Sequence, residues 1–179
     1  MTDDEGPYGP LDAEAVLSAL VAHRVDFVVV GGTAAIQHGA TRATSDVDCV
    51  VATTTENLQR VCDALHEMGN PRIRAENVPD ETAIELSKSL VNVDYLQRLE
   101  LSTWRTDSGS VDILRNLPDA NGKLLPIKDI PSLAVTTEAG LVIRLGTLAA
   151  IIESKEWSNR PKDLEALPEL RQLRDNEPH

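Results

Sequence analysis

Residues 31–50, GGTAAIQHGATRATSDVDCV, begin with two glycines and end with two aspartates that one residue separates. The residues before them, VDFVVV, are apolar and β-branched, which predicts a short buried strand that runs into the glycines. TAAIQHG predicts a short helix that ends at Gly39, and SDVDCVVA predicts a second strand. The order strand, glycine turn, helix, strand indicates an α/β fold with a mixed sheet.

The two aspartates lie on one face of the second predicted strand. Because strand side chains alternate, Asp46 and Asp48 point the same way, about 7 Å apart at Cα, while Val47 and Cys49 point into the core. Two such carboxylates repel each other unless a cation lies between them, and an oxygen-only ligand set suits Mg²⁺ or Mn²⁺ rather than Zn²⁺. A third acid, Asp112 in SVDIL, interrupts a later apolar strand. We therefore predict a metal site here, with exposed acids on an edge strand as the alternative.

The glycine pair predicts a phosphate-binding segment. Gly31 and Gly32 carry no Cβ, so a ligand can approach the backbone closely. The helix that follows offers free N–H groups and the positive end of its dipole. Ser45 and Arg42 add a hydroxyl group and a positive charge beside the aspartates.

The rest of the chain predicts elements of the same domain. LDAEAVLSALVAH and TTTENLQRVCDALHEMG have helical periods, and LELSTWRTDSGSVDILRNL predicts a hairpin around DSG. Within residues 70–97, AIELS and LVNVDYL fit either short strands or a helix. LPDANGKLLPIKDIPS predicts a connection, LAVTTEAGLVIRLG a strand pair, and the remainder two helices. We expect a flexible tail over 1–10, a core over 11–127, and a strand and helix extension of that domain over 128–179.

Composition narrows the function. A length of 179 residues suits one domain, and the net charge of −12 argues against a protein that grips a long duplex through a basic face. No apolar run approaches membrane-spanning length, and the acidic start MTDDEGPYGP lacks an apolar stretch. We therefore expect a cytoplasmic protein with no membrane partner. Cys49 and Cys62 show no ligand spacing and are predicted to be buried, reduced thiols.

The combined pattern resembles a known signature. An apolar residue and Gly-Gly, then thirteen residues, then Asp-apolar-Asp-apolar, with Asp112 on a later strand, resemble the DNA polymerase β-like nucleotidyltransferase superfamily over about residues 20–116. The resemblance implies a minimal nucleotidyltransferase fold of the α/β (α+β) class, a mixed sheet flanked by helices with a small helical C-terminal part. It also implies an enzyme that moves NMP from an NTP to an acceptor hydroxyl, releases pyrophosphate, and holds its metals with the three acids.

The C-terminal segment LAAIIESKEWSNRPKDLEAL resembles the Lys…Arg-x-Lys-Asp segment of bacterial AbiEii and MenT-type nucleotidyltransferase toxins. In that family the lysine reaches the NTP phosphates, which maps onto Lys155, and Arg160 and Asp163 match the arginine and the acid. The chain departs from the pattern at Ala166, where members often carry a further aspartate. The resemblance implies the 3′ end of a tRNA as acceptor and a toxin–antitoxin pair with a cognate antitoxin protein as partner.

The predicted roles follow from this resemblance. The predicted catalytic residues are Asp46, Asp48, Asp112 and Lys155, and the predicted nucleotide-binding residues are Gly31, Gly32, Ser45, Arg42 and Arg160. The three aspartates are the predicted metal ligands, and Asp112 is expected to hold the metal that activates the attacking oxygen and to accept its proton.

Two other functions stay open. The first is a nucleotidyltransferase that acts on a small molecule, because an acidic cleft suits a cationic aminoglycoside. A tRNA would instead need the basic residues of the C-terminal part, which are Arg144, Lys155, Arg160, Lys162, Arg171 and Arg174. The other is a catalytically silent binding module of the same fold, against which the three intact aspartates argue.

Overall fold

The computed structural model describes residues 10–74 and 78–177. The helices are α1 (Ala13–Ala22), α2 (Gly31–Gln37), α3 (Thr55–Glu67), α4 (Asp80–Lys88), α5 (Val93–Arg98), α6 (Leu148–Ser158) and α7 (Pro161–Asp175). The strands are β1 (Phe27–Val30), β2 (Asp46–Val51), β3 (Arg72–Ile73), β4 (Leu101–Thr106), β5 (Gly109–Leu114), β6 (Asn116–Pro118), β7 (Leu124–Pro126), β8 (Ser132–Thr136) and β9 (Val142–Gly146).

A seven-stranded mixed sheet forms the centre of the fold, in the order β3-β4-β5-β2-β1-β9-β8, and helices flank it. β2 lies antiparallel to β1 and parallel to β5, so the sheet mixes both directions. β6 and β7 form a separate two-stranded hairpin. The predicted α/β (α+β) class is confirmed.

The glycine segment differs from its prediction. The pair forms the first two residues of α2, not a turn before the helix. The register explains the difference, because Val30 is still paired with Asp48 and the chain passes directly from the sheet into the helix at Gly31. Gly31 has φ +64°, a conformation that favours glycine.

For two other segments, the sequence analysis left the prediction undecided or made a wrong one. The ambiguous residues 70–97 form β3, α4 and α5, with AIELS inside α4 and the side chain of Asn92 capping α5 at the N–H of Tyr95 (2.8 Å). The predicted connection that begins after the DSG hairpin contains β6, β7 and a turn of 3-10 helix over Ile127–Asp129. Leu117 explains why this segment is regular rather than a loop, because its side chain is buried against the sheet and fixes the segment there.

The strands after residue 127 belong to the central sheet. β9 pairs in parallel with β1, and β8 pairs with β9 at the edge. The predicted tail 1–10 lies outside the described residues except for Pro10. Cys49 and Cys62 are free and buried, as predicted. In the part of the chain that the structure describes, no helix is both long and apolar enough to cross a membrane.

The sheet packs two hydrophobic clusters. The larger one contains Val47 and Cys49 of β2 together with the buried faces of α1 and α3. The smaller one contains Val30 and Val50, which point to the opposite face, together with Leu117. Because side chains alternate along β2, its two aspartates share the face of the smaller cluster.

A buried asparagine ties α3 to the ends of β1 and β2. Asn57 accepts a hydrogen bond from the N–H of Asp26 (2.7 Å) and donates to the carbonyls of Asp26 (3.1 Å) and Ala52 (2.8 Å). All three partners are backbone groups at the point where the strands leave the sheet, and the carbonyl of Asp26 also accepts from the N–H of Ala52 (3.0 Å).

We expect Asn57→Ala to lower the free energy of unfolding by about 1–3 kcal/mol, because it removes three hydrogen bonds made by a buried side chain. Urea titration measures the change. Gln59→Ala, on the exposed face of the same helix, is the matched control and should change stability by less than about 0.5 kcal/mol. Equal effects of the two substitutions would show that the Asn57 contacts do not hold α3.

Candidate active site

The register of β2 and β5 brings the predicted acids together. Asp48 of β2 lies directly beside Asp112 of β5, and Asp46 lies two residues earlier on the same strand. Val47 and Cys49, between and after them, are fully buried on the other face. Asp46, Asp48 and Asp112 therefore form one acid row on a half-buried face of the sheet.

The start of α2 touches this acid row. A Cβ on Gly31 would lie 2.0 Å from Oδ2 of Asp48, so no other residue fits there without moving the carboxylate. A Cβ on Gly32 would lie 2.6 Å from Oγ1 of Thr44, which itself donates to Oδ1 of Asp46 (3.1 Å). The glycines thus let the helix backbone approach the acids closely. The sequence analysis had predicted such a close approach only for a ligand.

The acids repel each other. Burial, followed by the charges of Asp46 and Asp112, raises the pKa of Asp48 from 3.8 to about 7, although Lys162 and Lys155 oppose the change. Burial also raises the pKa of Asp112, against a hydrogen bond from Thr103. Oδ1 of Asp112 is buried and has no hydrogen-bond partner among the described residues.

These properties fit a divalent cation. The donors are all oxygens, which suits Mg²⁺ or Mn²⁺, and a cation would relieve the repulsion and give Oδ1 of Asp112 a partner. Within the described residues, no group of three or more His, Cys, Asp or Glu side chains is placed so that it could hold a metal ion. Mg²⁺ in nucleotide sites is commonly held by one or two carboxylates with phosphate oxygens and water.

A buried carboxylate positions the predicted phosphate-binding cations. Asp163 of α7 is fully buried and accepts hydrogen bonds from Nζ of Lys155 (3.0 Å) and Nε of Arg160 (2.6 Å). Burial acts to raise the pKa of Asp163, but these two hydrogen bonds outweigh it and hold the pKa below its ordinary value. Asp163 therefore fixes two cations from α6 and the start of α7 at one place.

The loop before β2 is held by α7. Arg42 pairs with Glu165 (2.8 Å), and the N–H and hydroxyl groups of Thr41 both donate to Oε1 of Glu169 (2.8 Å each). Arg42 and Ser45 are exposed on this loop. The contacts hold the loop against α7, at the cleft that contains the acid row.

All nine predicted site residues line one cleft of about 1060 Å³. They are Gly31, Gly32, Arg42, Ser45, Asp46, Asp48, Asp112, Lys155 and Arg160. The structure thus brings together residues that span 130 positions of the chain, from 31 to 160.

The sequence analysis missed other residues of the cleft. Lys162 lies close enough for its charge to lower the pKa of both Asp48 and Asp112. The sequence feature that could have identified Lys162 is its position directly before Asp163 in RPKD. Trp157 lines the cleft and is 53% exposed. Several apolar residues of β4 to β6 also line it, and no local pattern marks them.

Solved structures of known proteins have the same fold. The lincosamide antibiotic adenylyltransferase LnuA, with lincomycin bound, matches with a TM-score of 0.60 at 12% identity, over 92% of this chain and 99% of that chain. ANT(2″)-Ia in complex with adenylyl-2″-tobramycin matches with a TM-score of 0.53 at 15% identity, over 91% and 92%. The chain therefore has the fold of these nucleotidyltransferases, which confirms the predicted fold. No protein-family model matches the chain, and no curated protein does.

We expect Asp48→Asn to stabilise the metal-free protein, and more at about pH 8 than at about pH 5. The folded pKa of Asp48 is about 7 and its ordinary value is 3.8. Between these values the unfolded chain loses a proton that the folded protein keeps, so stability falls as pH rises and the loss is complete above about pH 7. The substitution removes this loss, on the order of 1–3 kcal/mol between the two pH values.

Thermal and urea unfolding in EDTA measure this difference. Glu138→Gln, which removes one negative charge from an exposed loop, is the matched control and should show the pH dependence of the parent protein. An identical pH dependence in Asp48→Asn and the parent would mean that Asp48 is not forced to keep its proton.

Proposed function

We propose that the protein is a metal-dependent nucleotidyltransferase that moves NMP from an NTP to an acceptor hydroxyl and releases pyrophosphate. The observation that carries this proposal is the acid row, in which Asp48 lies beside Asp112 and against Gly31. An apolar residue would be the ordinary choice on this face of the sheet, since Val50, two residues beyond Asp48 on β2, is fully buried there. Three acids that repel each other at one point suit a cation and a triphosphate.

The acid row is the metal site in this proposal. Mg²⁺ or Mn²⁺, when bound, neutralises charge on the triphosphate and on the attacking oxygen. Asp46 and Asp48 bind on the triphosphate side, and Asp112 faces the acceptor. The acceptor oxygen forms a bond to the α-phosphorus, the bond from that phosphorus to the bridging oxygen of the β-phosphate breaks, and Asp112 takes the hydroxyl proton. Positioning and charge stabilisation account for most of the rate.

The remaining predicted residues bind the nucleotide. Gly31 and Gly32 present backbone N–H groups without a Cβ, and Ser45 presents a hydroxyl group from the loop held against α7. Lys155, held by Asp163, neutralises the leaving pyrophosphate. Arg42 and Arg160 provide further positive charge at the rim, where both are exposed.

A small molecule is the acceptor that the structure favours. Three of the basic residues on which a tRNA acceptor depended, all outside the predicted nucleotide site, are paired with acids: Arg144 with Asp26, Arg171 with Glu156, and Arg174 with Asp175. Paired cations release few counterions when they meet phosphates, which weakens the main source of nucleic-acid affinity. LnuA and ANT(2″)-Ia, which share the fold, were solved with an antibiotic and an adenylylated antibiotic.

The 3′ end of a tRNA is the second candidate acceptor. The exposed ring of Trp157 at the cleft favours it, because an aromatic ring can stack on an unpaired base. This candidate carries with it the AbiEii/MenT resemblance, a toxin role and a cognate antitoxin as partner. If this candidate is correct, the transfer assay described below should place labelled nucleotide on the 3′ end of RNA.

We expect the protein to bind NTP in calorimetry only with Mg²⁺ or Mn²⁺, and Asp46→Ala/Asp48→Ala to abolish that binding. The reason is that these acids supply the protein's oxygens for the metal, and removing two buried acids that repel each other leaves the fold intact. Glu138→Ala is the control and should bind as the parent does. Equal NTP affinity in EDTA, or in the double variant, would contradict the site.

We expect Asp112→Asn to separate catalysis from folding. Transfer of label from an NTP to a panel of hydroxylated small molecules and to total RNA should fall by roughly 10²–10⁴-fold, because the proton acceptor is lost. The metal-free thermal midpoint should stay the same or rise, because one of the repelling charges is gone. A variant that unfolds, yet keeps its specific activity in the folded fraction, would show that Asp112 is structural.

A further inference from the structure

The cleft continues past Asp112 along an apolar surface. Leu114 and Leu101 form a cross-strand pair two residues beyond the pair of Asp112 and Thr103, so both pairs share one face of the sheet. The surface then passes onto β6 and across to α6. We name it the acceptor wall, and its residues are Leu101, Leu114, Leu117, Pro118 and Trp157.

The ring of Trp157 is held in place and left open. A Cβ on Gly122, in the turn between β6 and β7, would lie 2.4 Å from Cη2 of Trp157, so the backbone of the turn packs directly on the indole. Gly122 has φ +78°, and its N–H donates to the carbonyl of Asp119 (3.0 Å). The side chain of Asp119 closes the same turn by accepting from the N–H of Asn121 (2.8 Å). An indole fixed in this way and 53% exposed presents a preformed apolar face.

The base of the wall is equally fixed. Leu117 is buried in the smaller hydrophobic cluster with Val30 and Val50, and Leu114 packs against that cluster. Leu101 keeps 49% of its surface exposed above it. A ligand on the wall therefore buries apolar surface at little cost in ordering the protein.

The charges near the wall decide what fits it. Among the described residues that line the cleft, the acids outside the acid row are Asp163 and Glu169. Asp163 is paired with Lys155 and Arg160, whereas Glu169 accepts hydrogen bonds from the neutral Thr41 and keeps its charge. The five residues of the wall itself carry no carboxylate, and the acids that line the cleft lie in the acid row and on α7. Desolvating several ammonium groups against leucine and tryptophan without counterions is unfavourable.

We propose that the acceptor is an uncharged, amphiphilic molecule that carries its reacting hydroxyl beside an apolar ring or chain, and that the acceptor wall binds this apolar part. The ring or chain packs on Trp157 and Leu101, and the hydroxyl then lies at Asp112. Leu101 and Trp157 determine acceptor specificity, and their apolar surface favours an uncharged acceptor over a polycationic aminoglycoside. The inference rests on the proposed function for the role of the wall, but binding to the wall is measurable without transfer.

Tryptophan emission tests the proposal. The chain has two tryptophans, and Trp104 is fully buried, so a ligand on the wall changes the emission of Trp157 alone. The probes are phenyl β-D-glucopyranoside and octyl β-D-glucopyranoside below its micellar concentration. Tobramycin and the trinucleotide CCA represent the other two acceptor classes. We expect both glucosides to give a saturable change with a dissociation constant on the order of 1 mM or lower.

Three variants assign the signal. Trp157→Phe should leave the emission of Trp104 unresponsive to either glucoside. Leu101→Glu, which keeps both tryptophans, should weaken glucoside binding at least about tenfold, while binding of Mg²⁺–ATP stays within about twofold. Leu133→Glu, at an exposed leucine on the edge strand β8, is the matched control and should change neither affinity.

Several outcomes would overturn the proposal. These are no saturable change with either glucoside, glucoside binding that Leu101→Glu leaves intact, or tighter binding of tobramycin or CCA that Leu101→Glu weakens. The last outcome with CCA would assign the wall to an RNA 3′ end. Failure of the proposed function is measured separately, as an absence of Mg²⁺–NTP binding by the parent protein. Such a protein can still show the change in Trp157 emission.

Discussion

The contact between Gly31 and the carboxylate of Asp48 is the constraint on which the site depends. β1 and β2 are antiparallel, so the last residue of β1, Val30, lies opposite Asp48 and the next residue must pass over that carboxylate. A Cβ would lie 2.0 Å from Oδ2, and φ is +64°, so only glycine lets the chain turn from sheet to helix there. The parallel pairing of β2 with β5 then adds Asp112 at the same level.

The charges of the cleft are arranged in two different ways. In the acid row, burial and the charges of the neighbouring acids raise the pKa of Asp48 and Asp112. Asp163, only a short distance away across the cleft, instead binds both Lys155 and Arg160 and keeps its charge. The acids of the acid row repel each other without a cation, whereas Asp163 already has two cationic partners. The acid row therefore suits a ligand, and Asp163 suits the positioning of Lys155 and Arg160.

The sequence predicted which residues meet in the cleft better than it predicted the chain around them. Asp46, Asp48 and Asp112 were selected because a carboxylate between apolar strand residues has no local explanation, and strand alternation fixes its direction. The start of α2 at Gly31 was missed, because it depends on the register between β1 and β2. The β6–β7 hairpin and the apolar side of the cleft were missed for a similar reason. Leu101 and Leu117 look like ordinary core leucines, and only the tertiary structure places them in one cleft with Asp112 and Trp157.

A crystal structure of the protein with Mn²⁺ and a non-hydrolysable NTP analogue, with anomalous scattering data at the manganese edge, tests the central claim most directly. The account predicts anomalous density in contact with carboxylate oxygens of Asp46, Asp48 and Asp112, and a triphosphate against the backbone of Gly31 and Gly32. Manganese bound away from the acid row, or a triphosphate bound elsewhere with the acid row unchanged, would contradict it.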